Sequence, residues 1–333
     1  MLASIVVLLV AATGADAVSG SWTDTAAQFA LGPVAPSIDL RNMLTVRLVR
    51  RACAELDTLA QRRREAFASG TWETWRDNLR GTVLEGMAPM PFGAQGGDLN
   101  VRAVSRHERE HYIVENVLFE SFPGLDVNAS VYLPRPEQFP PPWPAIVVPV
   151  GHSSKVGSAY QIPAQVFARC GYIAATFDPP GMAGEKPDGN DHFRDGVRCY
   201  LTGQSANRFF VIDALRCADY LAARPDVDAH NGIGITGVSG GGVTAMHAAL
   251  LDHRLVVCGP ACCAVSKALH PVLDNYAECP EVMQQGRLCA YDDPDLLAAL
   301  CPKAVLLMAG ATDEVFTEPM SRDIAAEAQA MFA

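Results

Sequence analysis

The stretch GIGITGVSGGGVTAMHAALL, residues 232–251, decides the fold. It reads as a short apolar strand over 232–237, a tight turn, and a helix over 241–251. At the turn, Gly237-Val238-Ser239-Gly240-Gly241 spells G-x-S-x-G. A serine nucleophile must project its hydroxyl from a sharp, strained turn, and glycines two residues to either side let strand and helix come close. The N–H of Gly240 then falls at a helix N-terminus, where it can donate to a developing oxyanion. The plainer reading is a glycine-rich βα turn with a capping serine.

Outward from this turn the pattern repeats. Upstream lie the buried-strand runs AIVVPV (145–150) and YIAATFD (172–178), separated by a predicted helix over 159–170. A polar loop from Pro179 to Gln204 leads into a helix over 206–223, and LVVCGP (255–260) and AVLLMAG (304–310) supply two more strands. Strands alternating with helices imply a parallel sheet covered on both faces, an α/β class. Before this comes a predicted hairpin, YIVENVLFES and VNASVYLP around Pro123-Gly124. Apolar residues at helical spacing over 36–83 and a Gly/Pro-rich connector at 86–97 precede it.

Two other motifs compete for the chemistry. Gly232, Gly234 and Gly237 spell G-x-G-x-x-G, but the polar RPDVDAHN precedes them, so these glycines fall inside a strand, not after one, and no dinucleotide site is expected. His107-Glu108-Arg109-Glu110-His111 matches H-E-x-x-H, and His107 and His111 could share a zinc ion only on a helix. Strand-like alternation begins at Tyr112, which favours a charged surface segment; a zinc hydrolase stays as a remote alternative.

Composition narrows the classes further. With 49% hydrophobic and 19% charged residues the 333-residue chain is globular, and its net charge of -11 disfavours nucleic acid as a partner. The Arg-rich segments at 47–51 and 61–64 read as solvated helix faces. The apolar run Leu2 to Thr13 is too short to span a hydrocarbon core of roughly 30 Å. Followed by Ala15-Asp16-Ala17, it suits a signal peptide over 1–17 and a secreted or periplasmic protein, with a buried element and a cytoplasmic location as the alternative. Ten cysteines without a C-x-x-C pair point to neither a zinc ribbon nor a redox site, and Cys170, Cys217 and Cys258 are expected to pack as small hydrophobes. Asn128-Ala129-Ser130 matches a glycosylation acceptor but falls in a predicted strand.

From Tyr112 onward the order of features resembles the α/β-hydrolase superfamily, and within it the acetylxylan esterase and dienelactone-hydrolase-like branch. The matching stretches are PAIVVPVGHSSKVG, GYIAATFDPPGMAGE, DYLAARPDVD, GVSGGG and VLLMAGATDEVF; TWETWRDNLR is similar to a helical lead-in of secreted members. The implied domains are a helical region and connector over 18–111 and a hydrolase domain over 112–333. The resemblance implies that Ser239 is the nucleophile, Asp313 the triad acid, and Gly240 and His152 the oxyanion donors, without cofactor or metal, on a small-molecule or carbohydrate ester. A histidine should follow the acid by one helix and one strand, yet none occurs after His270. His247 and His253 lie on or just after the elbow helix, and His270 precedes the acid strand. The resemblance therefore implies a C-terminally truncated chain, lacking its last strand and histidine loop and inactive for want of a base beside the serine. A serine peptidase of the prolyl-oligopeptidase type and a non-catalytic hydrolase-fold binding protein stay open. Nothing in the sequence indicates the oligomeric state.

Overall fold

The computed structural model describes residues 8–9, 43–87, 97–180, 192–266, 290–329 and 331–332. Its N-terminal part holds strand β1 (Leu8–Leu9) and helices α1 (Met43–Ala68) and α2 (Trp72–Met87). Three long strands follow: β2 (Arg102–Glu108), β3 (Tyr112–Phe122) and β4 (Leu125–Pro134). The alternating part runs β5 (Ala145–Pro149), α3 (Ser158–Arg169), β6 (Ile173–Phe177), α4 (His192–Leu201), α5 (Ala206–Ala222), β7 (Ile233–Val238), α6 (Gly240–Leu251) and β8 (Leu255–Ala261). Last come α7 (Asp293–Ala299), β9 (Ala304–Val305), β10 (Met308–Ala309) and α8 (Glu318–Gln329).

The strands form one sheet in the order β1-β10-β8-β7-β5-β6-β4-β3-β2, with β9 also beside β8. The β5, β6, β7, β8 and β10 neighbours are parallel, whereas β2, β3, β4 and β6 pair antiparallel. Side chains alternate between faces because the strand period is two. Val147, Ile173, Ala175 and Phe177 enter the large core shared with α2, α5 and α6. Val148 and Ala174 turn the other way, onto Tyr160, Ala164 and Ala168 of α3. All five residues of β6 are buried, as its continuous apolar run requires.

Four expectations need correction. Residues 102–108, read as a connector, form the edge strand β2, whose side chains are almost all exposed, so no apolar alternation marks it; backbone pairing to β3 creates it. The polar loop over 179–204 contains α4. Cys170 is exposed at the surface end of α3, while Cys217 and Cys258 are buried as read, and the eight described cysteines are free thiols. Arg63 is buried, forming ion pairs with Asp295 of α7 and Glu327 of α8. It thereby ties α1 to the C-terminal elements. Among the described residues no helix is long and apolar enough to cross a membrane.

Candidate active site

Ser239 stands between β7 and α6 with φ 58° and ψ −129°, a left-handed backbone that non-glycine residues rarely adopt. Its N–H donates to Ala261 O at 2.9 Å, and its carbonyl accepts from Gly242 N and Val243 N. The flanking glycines are needed because backbones nearly touch. A Cβ at 237 would lie 2.5 Å from the carbonyl of Gly241, and one at 241 would lie 2.3 Å from Pro149 O. Gly242 matters too, since its Cβ would meet Cys263 Sγ at 2.4 Å.

The loop after β5 crosses the elbow. A Cβ at Gly151 would stand 2.8 Å from Gly240 N, against the amide expected to serve an oxyanion. Tyr160 of α3, nearly fully buried, joins the two segments: its hydroxyl accepts from Gly151 N and donates to Val238 O, both at 3.0 Å. The Gly151 amide is thus engaged, and the next amide along the loop is that of His152, whose side chain is half-buried. Further on, Asp178 at the end of β6 accepts from Ser154 Oγ and Lys155 N at 2.9 Å and from Asn128 Nδ2 at 3.1 Å. Burial pulls the Lys155 ammonium below its ordinary pKa and Asp178 opposes that pull. The Asn128 amide, whose match to a glycosylation acceptor falls in a strand as expected, is engaged in this network.

Asp313 follows β10. Its Oδ1 accepts from the amides of Val315 and Phe316, both at 2.9 Å. Cys262 links it to the elbow, because Cys262 follows Ala261, donates its N–H to Met308 O at 2.9 Å, and lies with Asp313 against Gly310. Cys262 has φ 47°, and burial, with the Asp313 charge second, raises its thiol pKa. The structure therefore brings Ser239, Gly240, the 151–155 loop and Asp313 to the carboxyl ends of neighbouring parallel strands, where ligands bind in open α/β sheets.

The remaining sequence candidates lie elsewhere. His247 on α6 is buried, with Nδ1 2.8 Å from Val243 O and Nε2 2.9 Å from Tyr291 Oη. His107 is on strand β2 beside Ser105, so the helix on which His107 and His111 could share a metal is not formed. Residues 1–7, His270, Cys279 and Cys289 lie outside the described residues. Sequence reasoning missed Tyr160 and the Asp178 network. A polar residue ending a buried strand was the available signal for Asp178; nothing local could mark Tyr160, whose acceptor is 78 residues away.

A cavity of about 520 Å³ opens at the carboxyl end of β6, lined by Leu125, Asp178, Pro179, Phe209, Phe210 and Asp213, among others. Asp213 on α5 is buried, and burial raises its carboxyl pKa to about 7, only partly offset by Ser121 on β3.

No family model matches the chain. Among curated proteins it is similar to "Putative hydrolase YtaP" of Bacillus subtilis, 28% identical over 184 residues. That match covers 50% of the chain and 58% of the relative, so the chain spans little more than half the length of the curated protein it matches. Among solved structures it superposes on Methylesterase BT1017 with a TM-score of 0.62, 22% identity, and 83% of this chain and 60% of that one covered. It superposes on Acetyl Xylan Esterase 1 from a Thermoanaerobacterium species with a TM-score of 0.54, 18% identity, and 76% and 83% covered. The fold is that of the α/β-hydrolases.

Proposed function

We propose that this α/β-hydrolase-fold chain is a serine hydrolase acting on carboxylic esters of carbohydrates, through an acyl-enzyme on Ser239. The observation that carries the reading is the strained backbone of Ser239 at the strand-to-helix turn, with the loop after β5 packed against the Gly240 amide beside it. Such strain persists where the surrounding structure imposes it, and it concentrates at functional sites. Ser239 Oγ attacks the ester carbonyl, the amides of Gly240 and His152 take up the oxyanion, the alcohol leaves, and water releases the acid. Asp313 would orient a histidine acting as general base. Without a base within hydrogen-bond reach, a serine hydroxyl is a weak nucleophile. The neighbours' names support ester hydrolysis and a carbohydrate substrate.

The test is labelling of the protein, expressed from its own gene, with a fluorophosphonate probe followed by peptide mapping. An adduct on Ser239 that Ser239→Ala abolishes is expected. Absence of the adduct would leave a hydrolase fold that binds without catalysis; an adduct with cleavage of peptides but not esters would favour the peptidase.

A further inference from the structure

We infer that Cys262 is a positioning residue of the Ser239 site: its thiol donates to the Asp313 carboxylate and fixes that carboxylate against the strand next to the elbow strand. It rests on the reading of Asp313 as the acid that orients a base for Ser239, and adds the side chain that holds this acid in place.

Register puts Cys262 between the two. Strands β7 and β8 pair in parallel with Val238 opposite Ala261, so Ser239 and Cys262 leave the sheet side by side. Ser239 N donates to Ala261 O at 2.9 Å, and on the other flank Cys262 N donates to Met308 O at 2.9 Å. In the sheet order β10-β8-β7, the turn that carries Asp313 therefore lies on one side of Cys262 and the elbow on the other. A Cβ at Gly310 would stand 3.3 Å from Asp313 Cβ and 3.6 Å from Cys262 Sγ, so the thiol and the stem of the carboxylate meet at that glycine.

The backbone of Cys262 is strained as well. Its φ of 47° lies in the left-handed region, which glycine adopts freely and a residue with a side chain rarely does. Strain of this kind concentrates at functional sites. The adjacent Cys263 differs, since it is buried in the core with its Sγ against Gly242. Of the two neighbouring thiols, the half-buried Cys262 is the one beside the site.

The chemistry suits the role. Burial, and after it the Asp313 charge, raise the Cys262 pKa, and a hydrogen bond to Asp313 acts in the same sense. The sulfur therefore stays a neutral donor and does not become a thiolate that would repel the carboxylate. Asp313 Oδ1 accepts from the amides of Val315 and Phe316, which tie it to its own turn. The thiol adds a tie to β8, and so fixes the carboxylate relative to Ser239.

Two measurements on the protein expressed from its own gene test this. In Cys262→Ala and Cys262→Gly, kcat for an aryl acetate should fall about tenfold with KM little changed, the scale of one hydrogen bond to a charged group, whereas Cys262→Ser, which keeps a donor, should stay within about threefold of the parent. Cys262→Gly should also have a higher urea midpoint than Cys262→Ala, so that activity is lost whether or not the strain is relieved. Unchanged kcat in folded Cys262→Ala, or Cys262→Ser as slow as Cys262→Ala, overturns the proposal. The second measurement follows alkylation of Cys262 by iodoacetamide against pH, read by peptide mapping. Asp313→Asn removes the neighbouring charge and should move the midpoint to lower pH; an unmoved midpoint overturns the pairing whatever the activity. A midpoint that moves in a protein giving no fluorophosphonate adduct on Ser239 upholds the pairing and sinks the esterase reading alone.

Discussion

Ser239 holds a backbone conformation whose cost for a residue with a side chain is about 1–3 kcal/mol. Replacement by glycine relieves it and replacement by alanine does not. Urea denaturation should therefore place Ser239→Gly about 1 kcal/mol above Ser239→Ala in stability, although both lack the nucleophile. Equal stabilities would mean that the turn is relaxed. Asp213 carries a second prediction. Its carboxyl has a folded pKa of about 7 against 3.8 in the reference state. The unfolded chain releases this proton first, so the stability it contributes is full below pH 3.8 and is lost as pH rises through 7. The change is on the order of 4 kcal/mol at most. Ser121 of β3 and Cys217 of α5 interact with it, and Asp178 and Arg198 line the same cavity. Asp213→Asn removes the titration, so its urea midpoint should gain on the parent's between pH 5 and pH 8; a pH-independent gap would sink the assignment.

Among the elements, α3 does more than cover the sheet. Tyr160 ties the loop after β5 to the end of β7 through two hydrogen bonds. Tyr160→Phe leaves the Gly151 amide unpaired inside the protein, a loss of about 1–3 kcal/mol. The same change frees the loop that carries His152, so kcat for an aryl acetate should fall at least tenfold with KM little changed; a loss confined to KM would make Tyr160 a binding residue instead. How far such features could be read in advance varied with their range. The β5 and β6 runs were legible because burial on both faces writes a continuous apolar signature, and the Ser239 turn because its flanking glycines mark it. Strand β2 was not, because Arg102 to Glu108 is nearly all exposed and owes its conformation to β3. Burial of Arg63 was equally illegible, as its partner Asp295 lies 232 residues away.

Across the whole molecule, the N-terminal helices share one core with the sheet: Leu79, Val83 and Met87 of α2 pack with Val243 and Leu250 of α6. The Arg80 guanidinium donates to Leu251 O at 3.0 Å, closing the end of α6. Arg63→Ala strands the buried Asp295 carboxylate and should cost about 3–5 kcal/mol, whereas Arg63→Met combined with Asp295→Leu should recover most of it, as measured by the urea midpoint. Failure of the double variant to recover stability would mean that the arginine stem, not its charge, joins the helices to the core. The Asp178 carboxylate has a wider reach. Because it grips both Ser154 and Lys155, the loop over the elbow and the end of β6 are one mechanical unit, and stiffness imparted on one side is felt on the other. Breaking that grip should therefore loosen the amides around Ser239 and be felt as lost speed, not lost capture. Asp178→Leu should accordingly lower kcat for an aryl acetate at least tenfold with KM little changed, and an unchanged kcat would show that the two loops move independently.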